Sequence, residues 1–168
     1  TDRIFEAIKN RDDINQFDSI INLQGDMPLI NPQDIKKVNL PLSQGFDIGT
    51  LVTDLLNNQQ NDANVTKAEI IWIKKNIIGQ AVSFFRSAKT QKDNYYHHVG
   101  IYSFRYDILK RFVSLAPSKN EINLQLEQLR ALDSKMSIGV NYVKNIPISV
   151  DTKEDIIKIE EKLKLHNE

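Results

Sequence analysis

FDSIINLQGD, from Phe17 to Asp26, is an apolar run that ends on a Gly-Asp pair. Residues 17–23 read as a buried strand, and Gln24-Gly25-Asp26 as the loop it runs into. Asn31-Pro32 then opens a helix, with Asn31 as the cap and Pro32 in the first turn. That helix carries Ile35 and Val38 and should stop before Pro41. Strand, loop and capped helix are the repeating unit of an α/β domain. Toward the amino terminus, Ile4, Phe5 and Ile8 recur at helical spacing, so the first dozen residues read as a helix.

Toward the carboxyl terminus, strands are predicted at residues 48–55, 65–73, 77–85, 98–104 and 138–143. The amide-rich residues 57–64 read as a surface loop, residues 74–76 as a turn, and the polar residues 87–94 as a mobile loop. Helices are predicted over residues 106–115, over 121–134 behind an Asn120 cap, and from a Thr152 cap through Leu165. The expected fold class is α/β in a single domain spanning 1–168, with a mixed sheet that is largely parallel.

The 168 residues carry 22 Lys plus Arg against 22 Asp plus Glu, so no bulk field favours nucleic acid or a membrane surface as a partner. The absence of cysteine excludes disulfides and thiolate chemistry. The apolar runs are too short to span a bilayer, and residues 1–11 read as a helix rather than a signal peptide. A cytoplasmic location is expected.

Asp26 follows a strand directly, where open α/β sheets gather their ligands. A carboxylate there suits Mg²⁺, which in turn holds phosphate oxygens, and Asp151 sits in a similar place before a capped helix. The plainer alternative is that Asp26 makes a turn and Asp151 a cap. His98 can donate to an anionic substrate, or can be a satisfied structural histidine. Arg86, at a strand end, can clamp a carboxylate or lie solvated. Glu127, Gln128 and Arg130 share a helix whose polar face can simply be exposed. From the residues alone, the reading stops at an α/β domain with a candidate divalent-metal site.

Four longer strings carry a resemblance. Residues 21–30, INLQGDMPLI, resemble VNxQGDEPxI. Residues 98–105, HVGIYSFR, resemble the latter part of RHxGIYxYR. Residues 126–132, LEQLRAL, and 150–156, VDTKEDI, resemble LEQLRxL and VDTPEDL, and Thr1-Asp2-Arg3 is similar to the end of SGTDR. In that order, over nearly the whole chain, they resemble the 3-deoxy-manno-octulosonate cytidylyltransferase (CMP-Kdo synthetase) family.

The resemblance implies a Rossmann-like nucleotide-diphospho-sugar transferase fold. It also implies the reaction of CTP with Kdo to give CMP-Kdo and pyrophosphate, for lipopolysaccharide synthesis. Asp26 and Asp151 match the family's magnesium-holding, catalytic aspartates. Gln24, Arg86, His98, Tyr102, Glu127 and Gln128 match positions around the sugar acid, and Arg3 a position near the nucleotide. A homodimer is implied.

Other positions depart from the pattern. The family's glycine-containing, basic phosphate loop, roughly IPARxxSxRLPGKPL, has no counterpart in these residues. The expectation is therefore a chain carrying the later part of the fold, amino-terminally truncated. Met27 replaces a Glu, Lys119 and Lys153 replace Pro, and Leu124 stands where the family has a Glu near the sugar. Residues 87–90 replace a Pro-Trp-containing stretch. Two other readings stay open: a non-catalytic remnant that dimerises or binds a sugar acid, and a CMP-sialate synthetase. The HVGIYSFR and LEQLR strings favour Kdo over sialate.

Overall fold

The computed structural model describes residues 1–88, 92–145, 149–150 and 153–165. The predicted amino-terminal helix is present as α1 (Asp2–Ile8), and its Phe5 stacks on Tyr106 at 6.2 Å. The apolar run that decides the class forms only a short strand, β1 (Ile20–Asn22). Its first residues are spent otherwise. Ile14–Gln16 makes a 3-10 turn, and Phe17 lies exposed with the Arg11 guanidinium over its ring.

Next comes α2 (Pro32–Lys37), where the Asn31 side chain accepts from the Gln33 amide at 2.8 Å as expected for a cap. Pro41 stops that helix by starting another, α3 (Leu40–Ser43), because a proline is tolerated in a first turn.

The strands β2 (Ile48–Asp54), β3 (Lys67–Lys74), β4 (Ile78–Phe85), β5 (Tyr95–Phe104) and β6 (Ile138–Tyr142) follow the predicted runs closely. Between them stand α4 (Tyr106–Val113), α5 (Lys119–Leu124) and α6 (Gln128–Asp133), and α7 (Lys153–Leu165) comes last. The Thr152 cap predicted for α7 lies outside the described residues, as do residues 89–91 of the polar loop.

The six strands form one sheet in the order β1-β5-β2-β6-β4-β3, and the start of β3 pairs back onto β5. The expectation of a largely parallel sheet is corrected here. Among the described pairings only β2 with β6 is parallel; the rest are antiparallel. The cause lies in the connections. A parallel pair needs a crossover of about a dozen residues or more. β3 and β4 are joined by a tight turn through Asn76 at φ 54°, and β4 and β5 by residues 86–94. β2 and β6 are linked through β3, β4, β5 and α4–α6, a path long enough for a parallel return, while β1–β5, β2–β5 and β4–β6 are also distant in sequence yet run antiparallel.

Alternation along the strands gives the sheet two apolar faces. Ile48 and Val52, with Phe84, Phe104, Ile138 and Val140, pack under α4 and α6. Leu51, Val99 and Ile101 face the other way, onto Met27, Ile30 and Val38. On this second face a Cβ at Gly49 would lie 2.2 Å from the Val38 carbonyl oxygen, so glycine lets the end of α2 sit directly on β2. Met27, which stands where the family has a carboxylate, is 7 % exposed and belongs to this core.

One predicted helix is two. Residues 121–134 were expected to be continuous behind Asn120, but the cap is Ser118, which forms a capping box with Glu121. The chain then breaks at Gln125, in the left-handed region at φ 52°, and restarts as α6. The break has a tertiary cause. Arg86 donates to the carbonyls of Leu124 and Gln125, each at 3.1 Å, and so supplies partners outside the helix ladder.

Candidate active site

The break between α5 and α6 sets Glu127 and Gln128 against β5. Thr1, Tyr102, Phe104, Phe112, Glu127 and Gln128 line a crevice of about 10 Å³, room for about one water. The Thr1 hydroxyl donates to Glu127, so the start of α1 closes one side. Arg3, two residues further on, is exposed. Glu127 also lies 3.8 Å from Arg130, and Arg130 is paired through two nitrogens with Glu121. Burial, reinforced by the Glu127 charge, keeps the Tyr102 phenol protonated far above its ordinary range.

His98 sits beside Tyr102, ring centroids 5.4 Å apart, and edge-on to Phe84 at 5.0 Å. It is 6 % exposed, and burial, with a smaller contribution from His97, pushes its pKa down to about 3. The ring is therefore neutral. Its Nε2 lies 3.0 Å from the Thr50 hydroxyl, whose own proton is directed at the Ile101 carbonyl at 2.8 Å. Thr50 must then accept from Nε2–H, which leaves Nδ1 as a lone-pair acceptor. A sugar hydroxyl suits that nitrogen better than the anionic group expected from sequence.

The shift has a consequence for stability. Between about pH 3 and 6.5 the unfolded chain protonates His98 and the folded chain does not, so stability rises with pH across that window. The melting midpoint is expected to climb over this interval, and His98→Gln to flatten the climb. An unchanged slope in the variant would show that His98 titrates freely.

Gln24 and Asp26 occupy the loop after β1. The register Asn22↔Tyr102 runs β1 antiparallel to β5, which directs this loop along the His98–Tyr102 stretch. Gln24 is exposed and Asp26 half-buried. Asp26 Oδ1 is buried with no hydrogen-bond partner among the described residues, an arrangement that fits a hard cation. The Asp26 carbonyl accepts from the Val150 amide at 2.8 Å, which brings the chain just before Asp151 to the same place. Asp151 itself lies outside the described residues. Among the described residues no group of three or more acidic or histidine side chains gathers, and a site that also uses triphosphate oxygens needs none.

Arg86, expected at the sugar carboxylate, has its guanidinium directed at backbone. It donates to Ala63 as well as to Leu124 and Gln125, each at 3.1 Å. His98, Tyr102, Glu127 and Gln128 are thus drawn together, while Arg86 stands behind them. Sequence reasoning missed Thr50, which fixes the His98 tautomer. It also missed Lys67, which is fully buried, and the pair Thr53 and His97, whose Oγ1 and Nδ1 are buried without partners. For Thr50, Thr53 and Lys67 the available signal was a polar residue inside a strand run, whereas His97 precedes the run predicted at residues 98–104.

The family model for cytidylyltransferases matches residues 1–138. The chain belongs to this family. It is 40 % identical over 159 residues to the 3-deoxy-manno-octulosonate cytidylyltransferase of Paramagnetospirillum magneticum, covering 93 % of this chain and 65 % of that protein. The corresponding protein of Bartonella tribocorum is 39 % identical over 162 residues, covering 95 % and 66 %. The chain therefore spans just under two thirds of the length of these relatives.

Among solved structures it is similar to a CMP:2-keto-3-deoxy-manno-octonic acid synthetase complexed with CTP. The TM-score is 0.83 at 26 % identity, over 98 % of this chain and 68 % of that one. Apo-UDP-glucose pyrophosphorylase shares the fold, with a TM-score of 0.64 at 13 % identity over 98 % and 58 %. The mixed-sheet nucleotidyltransferase fold of this cytidylyltransferase chain agrees with the α/β class expected from sequence. Among the described residues no helix is long and apolar enough to cross a membrane.

Proposed function

We propose that this cytidylyltransferase chain, as one domain over 1–168, activates Kdo with CTP, releasing pyrophosphate, in the cytoplasm and for lipopolysaccharide synthesis. The observation that carries the reading is that Tyr102, Glu127 and Gln128 line one crevice, with His98 beside Tyr102, in a chain 40 % identical to a protein of that name. Mg²⁺ held by Asp26 and Asp151 would neutralise phosphate charge and lower the pKa of the attacking anomeric hydroxyl.

The chain's own residues orient the sugar acid. His98 Nδ1 and Glu127 accept from its hydroxyls, Gln128 and Gln24 add amide contacts, and the neutral Tyr102 donates. Arg86 keeps N–H groups beyond its three carbonyl bonds, and in this reading they pair with the sugar carboxylate. Arg3 stands at the nucleotide, and the active unit is a homodimer. The hydroxyl gives its proton to solvent as its oxygen bonds to the α-phosphorus, the bond from that phosphorus to the bridging oxygen breaks, and pyrophosphate leaves.

The test is pyrophosphate release from CTP, Kdo and Mg²⁺. It is measured on the chain alone and mixed with the amino-terminal third of the Paramagnetospirillum relative. Release that requires Kdo is expected, with His98→Ala raising KM for Kdo about tenfold, the worth of one buried hydrogen bond, and sparing KM for CTP. No release in either mixture, with Kdo still protecting the chain thermally, would overturn the transferase reading in favour of a sugar-acid-binding remnant.

A further inference from the structure

Lys67 is the largest fully buried side chain among the described residues, at 0 % exposure. An apolar residue of similar size would usually be cheaper at such a position. Burial follows from its place in the sheet. It pairs with Phe85 of β4 on one side and His97 of β5 on the other, where β3 closes between the two strands. Its ammonium is not wasted there. It donates to the Asp62 carbonyl and, at 2.7 Å, to the Arg86 carbonyl.

Arg86 then continues the connection. Its guanidinium ties Ala63 to Leu124 and Gln125. Gln125 is the left-handed residue that ends α5, and Glu127 and Gln128 begin two residues later. On the opposite side, the His98 amide donates to the Thr66 carbonyl at 2.9 Å, next to Lys67. One buried ammonium therefore stands between the strand that carries His98 and the junction that carries Glu127.

We propose that Lys67 is a positioning residue for the sugar-acid site, setting Arg86 and the α5–α6 junction through backbone carbonyls. This rests on the reading that His98, Tyr102, Glu127 and Gln128 hold a sugar acid. Lys67 touches no substrate. Its effect is on where Arg86 starts and on how firmly the left-handed turn at Gln125 is held, and therefore on sugar rather than nucleotide affinity.

Lys67→Met keeps the stem and removes the donors. Two measurements are made on variant and parent: Kd for Kdo and for CTP by calorimetry, and hydrogen exchange of the backbone. The variant is expected to bind Kdo about tenfold more weakly and CTP within about twofold of the parent. Amides of residues 126–130 should exchange about tenfold faster while β2 and β6 keep their protection.

Equal weakening of both ligands, or unchanged exchange at residues 126–130, would overturn the proposal, since a merely structural lysine loosens the whole sheet. If the parent binds no Kdo, the sugar-acid reading fails instead. The exchange pattern then decides by itself whether Lys67 sets the junction. Should the methionine variant not fold, Lys67→Gln, which retains a donor on a shorter stem, gives the same pattern at smaller amplitude.

Discussion

Asp26→Asn is expected to lower Mg²⁺-dependent pyrophosphate release by at least about a thousandfold, the scale of a metal-held charge in phosphoryl chemistry. The melting midpoint should stay level or rise. Asp26 Oδ1 is buried without a hydrogen-bond partner among the described residues, so the desolvation of that oxygen is not offset by a hydrogen bond. An amide of the same shape relieves that cost and removes the charge a hard cation needs. Loss of turnover with unchanged or higher stability is the signature of a residue kept for function at the expense of the fold. Full turnover in Asp26→Asn would show that the metal assignment is wrong.

Glu121→Leu is expected to produce the largest loss of stability, about 3–5 kcal/mol, because it leaves a buried cation with only the more distant Glu127 carboxylate at 3.8 Å. For a chain of this size that is a fall of roughly 6–20 °C in melting midpoint, at about 2–4 °C per kcal/mol. Arg130 is 8 % exposed and Glu121 13 %, and they meet through two nitrogen–oxygen contacts, with the guanidinium also 5.0 Å over the Phe112 ring. Glu121 further accepts from the Ser118 amide, so its removal also breaks one half of the α5 capping box.

Acidification should act in the same direction. The Arg130 hydrogen bonds, foremost, hold the Glu121 carboxyl below its ordinary 4.5. The stabilisation is thus complete above the unfolded value and is lost as pH falls through the lower folded one. Thermal melts of the parent should steepen in acid, and those of Glu121→Leu should steepen less. A variant melting within about 2 °C of the parent would mean that the pair contributes nothing net, as many exposed ion pairs do.

The apolar runs at residues 48–55 and 77–85 were legible because alternation and length alone define a buried strand, and their structural counterparts differ by a residue or so at the ends. The first run was read too long. Phe17 is apolar but belongs to a turn, where Arg11 covers it, and no periodicity reports a contact of that kind. The helix over residues 121–134 had no breaker in its sequence. What breaks it is a guanidinium from residue 86, a partner that local propensity does not contain. Residues 98, 102, 127 and 128 were named by likeness to the family's strings, and the fold then set 102, 127 and 128 around one crevice with 98 beside 102.

By itself the sequence determined most of the elements and the family, and named the residue types of the proposed sugar-acid and metal site, because these are written in local patterning and in short ordered strings. Tertiary structure alone decided that the sheet is chiefly antiparallel, that His98 spends its N–H on Thr50, and that Lys67 lies buried against two carbonyls. Each of these depends on groups between 5 and 48 residues apart in the chain, or on which strands become neighbours. Contacts of that kind are fixed by the packing of whole elements, where burial and hydrogen-bond satisfaction are settled together.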